Sequence, residues 1–306
     1  MPLTQHRRKT EDGRSIMEFL TTLINGLSLG GIYAMIALGY TMVYGIAKML
    51  NFAHGDIIMV GGYTIFVFMN LTGNPWAAIV AAVVFCVLLG FAIEKVAYKP
   101  LRGASPLAVL ITAIGVSYFL QSLAQIIFGS APKMVNLPDL GVVSFGGLTV
   151  QCSTLVTLGC TVALMVGLNL FIKFTKTGRA MLAVSEDRGA AQLMGINVNG
   201  IISVTFIIGS ALAALAGLFY LLKSPSINST FGSLPGIKAF TAAVIGGIGS
   251  IPGAMLGGIL LGVVECFCSS ITVLAPYTDA IEFTILIVIL LVRPTGFLGK
   301  KRREKV

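Results

Sequence analysis

Charge is the scarcest property of this sequence. Asp, Glu, Lys and Arg make up 11% of its 306 residues, where a soluble domain carries about 25%. There are two histidines and five cysteines, and Cys86, Cys152, Cys160, Cys266 and Cys268 lie in or beside apolar runs with no metal-ligand spacing to either histidine. They read as packing residues, and a metal-dependent enzyme has no constellation to rest on. No G-x-x-x-x-G-K-[S/T] phosphate loop occurs, so this chain does not bind ATP by that device. GGIGSIPG at 246–253 places Pro252 where the last glycine of a dinucleotide fingerprint would stand, and no β-α-β pattern surrounds it. The reading is a protein that is not an enzyme and carries no cofactor of its own.

In place of charge there is apolar length. The chain is 56% hydrophobic, with a mean hydropathy of +0.93. Uncharged runs cover 57–93, 103–132, 140–172, 189–222 and 239–264, and about 20 mostly apolar residues suffice for a membrane-crossing helix. A transmembrane barrel would instead show alternating segments of about ten residues. The fold class is an all-α integral membrane protein, a polytopic helical bundle of about eight spans, with nine or ten if the first run holds two elements. The net charge of +9 would suggest nucleic acid in a soluble protein. Here the basic residues sit in loops and tails, so the positive-inside rule accounts for them and no nucleic-acid partner is implied.

In chain order, residues 1–16 read as a polar, disordered tail, and 17–298 as one transmembrane domain. Spans are expected at about 18–47, 57–71, 76–96, 105–128, 151–172, 200–222, 253–270 and 279–293. Residues 299–306 form a basic cytoplasmic tail. The segments 95–102 and 173–199 are basic and read cytoplasmic, whereas 129–150 and 223–237 read extracytoplasmic. The start of the first span then lies outside, against the local basic residues His6 to Lys9. The stretch at 238–247 is too short to cross and is broken by GGIGSIPG, so it reads as a re-entrant half-helix. Asn51, His54 and Asp56 fall between two apolar runs with hardly a gap, which points to a broken helix at membrane depth; such backbone is tolerated only against protein or a water-filled cavity. Two readings stand for these three residues: a place beside the translocation path, or a hydrogen-bonded break that only shapes the bundle. Glu265, an ionisable residue in or at the end of a span, must face the interior or a partner, and is a second candidate for the path. Asp279 and Glu282 read as outer-rim residues. The pairs Gly26–Gly30, Gly253–Gly257 and Gly258–Gly262 have the spacing of close helix packing.

The segment 173–199 is the longest charged interruption, with Lys173, Lys176, Arg179, Glu186, Asp187 and Arg188. Its Gly189-Ala190-Ala191-Gln192-Leu193-Met194-Gly195 resembles the E-A-A-x-x-x-G coupling loop of bacterial ABC importer permeases. In that family a short cytoplasmic helix docks on an ATPase subunit. This sequence departs from the pattern with Gly189 in the acidic position, Glu186 and Asp187 standing just upstream. Small alanines allow close docking, and Gly195 suits a left-handed helix end.

NGLSLGGIYAMIALGYTMVYGIAKMLNFAHGDIIMVGGY (25–63), AAQLMGINV (190–198), AAVIGGIGSIPGAMLGGILLGVVE (242–265) and LLVRPTGFLGK (290–300) resemble the permeases of high-affinity branched-chain amino acid ABC transporters, in order, from about Met17 to Lys300. The resemblance implies a permease subunit in the bacterial inner membrane. Its implied partners are a second homologous permease, two ATPase subunits that bind the ATP, and a periplasmic or lipid-anchored substrate-binding protein. Glu186, Asp187, Arg188, Gly189, Ala190, Ala191 and Gly195 are the implied coupling residues. Permeases for urea, short amides and sugars share much of the pattern, and an ion-coupled secondary transporter would also use broken helices and midplane charges.

Overall fold

The computed structural model describes residues 2–145 and 148–299, with side chains from Ile16 onward apart from those of Phe145 and Leu148. The basic tail expected at 299–306 lies outside the described residues beyond Gly299. Among the described residues eight helices are long and apolar enough to cross a membrane, in agreement with the eight expected spans. They belong to α1 (Pro2–Ala47), α2 (His54–Thr72), α3 (Pro75–Ile93), α4 (Pro106–Phe128), α5 (Cys152–Phe174), α8 (Val198–Lys223), α10 (Ile251–Ser270) and α11 (Thr278–Val292). Helix α3 continues through a π turn at Glu94–Tyr98 and a 3₁₀ turn to Leu101. Between the spans lie α6 (Lys176–Glu186), α7 (Arg188–Leu193) and the short α9 (Ser233–Gly246).

Helix α1 is a single element, so the first run does not hold two. It is helical from Pro2, where the leader was expected to be disordered. Elongating an existing helix needs only propagation, not nucleation, and Gln5, Arg7, Arg8, Lys9 and Glu11 are good helix formers.

The chain ends sort the bundle into two faces. At one end Ile46 meets Arg188, Arg102 meets Asn199, and Phe297 and Leu298 donate backbone hydrogen bonds to Ile245 and Gly246. This end carries Lys95, Lys99, Lys173, Lys176, Arg179 and Arg293, so the positive-inside rule makes it cytoplasmic. At the other end Phe19 packs on Phe267 with ring centroids 5.2 Å apart. There β1 (Lys133–Met134) pairs antiparallel with β4 (Ser226–Ile227), which ties the two segments expected outside to each other. A hairpin of β2 (Val142–Phe145) and β3 (Leu148–Gln151) precedes α5.

Helices α1 and α8 form the middle of the bundle: over half of each span's most apolar window is buried, against 11% for α11. Helix α10 crosses α1 along the predicted glycine pairs. A Cβ placed on Gly262 would stand 2.1 Å from the Gly30 nitrogen, and one on Gly258 would stand 2.4 Å from the Ala34 Cα. Any side chain there would push the backbones apart. Gly253 and Gly257 make the same close approach to Gly246 and Ala242 of α9. All three pairs therefore serve packing within this chain. The string Gly26-Leu27-Ser28-Leu29-Gly30 fits the G-x-S-x-G form of a nucleophile elbow, but it lies inside α1 and not on the strand-to-helix turn that such an elbow requires.

Candidate functional site

Among the described residues three polar regions interrupt the apolar bundle. The first is the helix break between α1 and α2. After Ala47 the chain turns at Lys48, whose φ is +53°, and folds back against its own helix. His54 ends up beside Gly39, where a Cβ would meet its Nε2 at 2.3 Å. Gly39 lies eight residues before Ala47, which is about 12 Å along the helix axis, so α2 begins inside the membrane as expected. The break is stitched by a buried bond, in which Tyr98 Oη donates to Asn51 Oδ1 at 2.8 Å, and by a partly buried one, in which Gln121 Nε2 donates to Asp56 Oδ1 at 2.8 Å. The ring of His54 sits edge-on to Tyr40 at 4.8 Å. Helix α9 starts beside the same point, since a Cβ on Gly232 would lie 1.7 Å from the Gly55 carbonyl oxygen. Asn51, His54 and Asp56 are each at most 3% exposed.

The second region is the cytoplasmic end. One short helix was expected within 173–199; the structure has two, because Asp187 ends α6 and caps α7. Its extended backbone stops the first helix, and its Oδ1 accepts from the Ala190 N–H at 3.0 Å. Thr175 caps α6 in the same way, through the Gly178 N–H at 2.9 Å. Arg188 binds the Ile46 carbonyl with Nη2 at 3.0 Å and Nε at 3.3 Å, which ties α7 to the last turn of α1. Burial, and then the charge of Arg102, pulls the Arg188 pKa below its ordinary value. Gly195 takes φ +80° and closes α7. Ala191 is buried, whereas Leu193 and Met194 are 90% and 82% exposed. Beneath this end Glu94, fully buried, accepts from Ser203 Oγ at 2.9 Å and pairs with Arg102 and, at 3.5 Å, with Lys95.

The third region is toward the outer end. Lys238 of α9 reaches Glu265 of α10 at 3.0 Å, and Asp279 and Glu282 of α11 at 2.8 and 3.3 Å. The Glu282 contact is close enough for ion pairing, although its geometry makes no hydrogen bond. Tyr33 Oη donates to Glu265 Oε2 at 2.7 Å. Glu282 is fully buried, which corrects its expected place at the rim. Asp279 is the half-exposed member. The reason is that α11 packs against α9, where the ammonium is. Sequence reasoning passed over Lys238, yet a signal was present. Between Lys223 and Arg293 the only charged residues are Lys238, Glu265, Asp279 and Glu282, and isolated charges in so apolar a run must find one another.

Next to this cluster a cavity of about 670 Å³ opens between α1, β3, the start of α5 and the ends of α8 and α10. Glu265 lines it; Asn51, His54 and Asp56 do not. The four residues expected near the translocation path therefore fall into two separate places.

Among the described residues, eight apolar helices of membrane-crossing length, a break between two of them and a basic end define a polytopic helical membrane protein. The chain belongs to the family described as "Branched-chain amino acid transport system / permease component", whose profile matches residues 22–290. It is 46% identical to the high-affinity branched-chain amino acid transport system permease protein BraD of Pseudomonas aeruginosa, over 95% of this chain and 99% of that one. It is 43% identical to the corresponding permease protein LivH of Escherichia coli, over 94% and 98%. Among solved structures, PsaBC from Streptococcus pneumoniae in complex with Fab matches with a TM-score of 0.50 at 15% identity, covering 94% of this chain and 96% of that one. That last likeness bears on the fold alone.

Proposed function

We propose that this chain is the permease subunit of an ATP-driven importer that carries branched-chain amino acids across the bacterial inner membrane. The observation that carries the reading is the end-to-end identity with two branched-chain amino acid permeases. The importer comprises a second homologous permease, two ATPase subunits that bind ATP, and a substrate-binding protein on the outer side. Asp187, Arg188, Ala190, Ala191 and Gly195 hold α7 in place, and Glu186 and Gly189 flank its cap. Leu193 and Met194 are the part presented to the ATPase. Two large apolar side chains this exposed on a charged surface are left uncovered by the described residues and suit a groove on another subunit. Because Arg188 fastens α7 to the end of α1, a displacement of α7 reaches the helix that packs against α10 and α8. An ATPase pair that contacts α7 differently in its two states shifts the permease equilibrium by that difference. The bonds of Asn51 and Asp56 hold the break that starts α2 at membrane depth.

The test is a pair of variants, Leu193→Glu and Met194→Glu, in the assembled importer. Both sites are exposed, so insertion and expression are expected to match the wild type while leucine uptake falls at least about tenfold, the loss of roughly 1.4 kcal/mol or more typical of a hot-spot contact. Uptake at the wild-type rate in both variants would remove the docking role from α7.

A further inference from the structure

The cavity beside Glu265 contains two opposite charges that do not bond to each other. Glu265 lines it, and so does Lys223. Lys223 Nζ lies 4.0 Å from Cys266 Sγ, one residue along from Glu265. Among the described residues no carboxylate stands within ion-pairing distance of Lys223. Glu265 carries one contact on each oxygen, to Tyr33 and to Lys238, and a carboxylate has about four lone-pair sites. It also belongs to a cluster in which one ammonium is shared among three carboxyl groups. The remaining lining is mixed. Leu29, Ile32 and Phe219 give it apolar surface, and Asn25, Ser28 and Thr157 give it polar groups. Leu29, Ile32 and Thr157 are buried and make the floor, whereas Lys223 and Ser270 are exposed and make the mouth. The volume falls within the range of about 300–1,000 Å³ seen for small-molecule sites.

We propose that this cavity binds a zwitterionic aliphatic amino acid on its way from the outer side. The α-ammonium meets Glu265, the α-carboxylate meets Lys223, and the side chain lies against Leu29, Ile32 and Phe219. The proposal deepens the importer reading and rests on it. It assigns to this chain a selectivity for molecules carrying both charges, apart from any selectivity of a binding protein.

Cys266 lines the same cavity and serves as a native reporter. In the assembled importer, with Cys152, Cys160 and Cys268 replaced by serine, Cys266 is labelled with a small water-soluble methanethiosulfonate. Leucine is expected to slow labelling at least about fivefold. Leucinol, which lacks the carboxylate, and 4-methylpentanoate, which lacks the ammonium, are expected not to. Losing a charged hydrogen bond weakens binding about 10- to 100-fold, so Lys223→Gln and Glu265→Gln are expected to abolish the protection. Lys223 is exposed at the mouth and its replacement leaves the fold unstrained, so that variant decides if Glu265→Gln fails to assemble. Leucinol protecting as well as leucine, protection surviving in Lys223→Gln, or a Cys266 that never reacts would each overturn the proposal. ATP-driven leucine uptake is followed in parallel. Uptake without protection overturns the cavity and leaves the importer; protection without ATP-driven uptake supports the cavity and overturns the importer.

Discussion

Replacing Lys238 by methionine removes the ammonium that faces Glu265, Asp279 and Glu282. The side chains of Lys238 and Glu282 are 4% and 0% exposed, so water does little to screen what is left. Breaking a buried ion pair by deleting one partner costs about 3–5 kcal/mol. A ceiling can be set independently. A stranded glutamate can take up a proton instead, and from a reference pKa of about 4.3 this costs about 3.7 kcal/mol at pH 7. Asp279 is half-exposed and keeps its hydration, so the loss falls mainly on Glu265 and Glu282. Tyr33 still donates to Glu265, which leaves Glu282 as the largest single contributor. The expected destabilisation of Lys238→Met is therefore about 3–4 kcal/mol. The double variant Lys238→Met/Glu282→Gln is expected to regain about half, because the removed cation and the removed anion share one interaction. The assay is thermal unfolding of the purified protein in detergent, followed by fluorescence-detected size exclusion. Lys238→Met as stable as the wild type, or a double variant no better than the single one, would refute the reasoning.

Other expectations come from the same packing and bonding. Gly262→Leu sets a side chain where a Cβ already stands 2.1 Å from the Gly30 nitrogen; the α1–α10 crossing is expected to open, and the yield of folded protein on size exclusion to collapse. Tyr98→Phe leaves the buried Asn51 amide oxygen without its donor at 2.8 Å, an expected loss of about 1–3 kcal/mol in thermal unfolding. Arg102→Ala leaves the fully buried Glu94 with Lys95 at 3.5 Å and the Ser203 hydroxyl; the expected cost is about 2–4 kcal/mol, less than for a stranded charge with no other partner.

The spans were legible because each is an uncharged run long enough to cross, and the glycine pairs because their four-residue spacing marks one helix face. The break at 51–56 was legible from three polar residues placed between two such runs. The start of α9 was not: Ser233-Leu234-Pro235-Gly236 reads as loop, yet Pro235 sits in the first turn, where a missing N–H costs nothing. The division of 173–199 into α6 and α7 depends on Asp187 acting as a cap, and an aspartate beside a glutamate in a charged stretch gives no sign of that. The ion cluster and the cavity draw their residues from elements far apart in the chain. Glu265 could be named from its place in a span and Lys238 from its isolation in an apolar run, but Tyr33 and the neighbouring Lys223 needed the folded chain.

The most direct test of the account is leucine uptake by the complete importer reconstituted in vesicles, driven either by ATP on the ATPase side or by an imposed proton or sodium gradient. The account predicts uptake that requires ATP and the binding protein and that is indifferent to the gradient. Uptake driven by the gradient without ATP would contradict it.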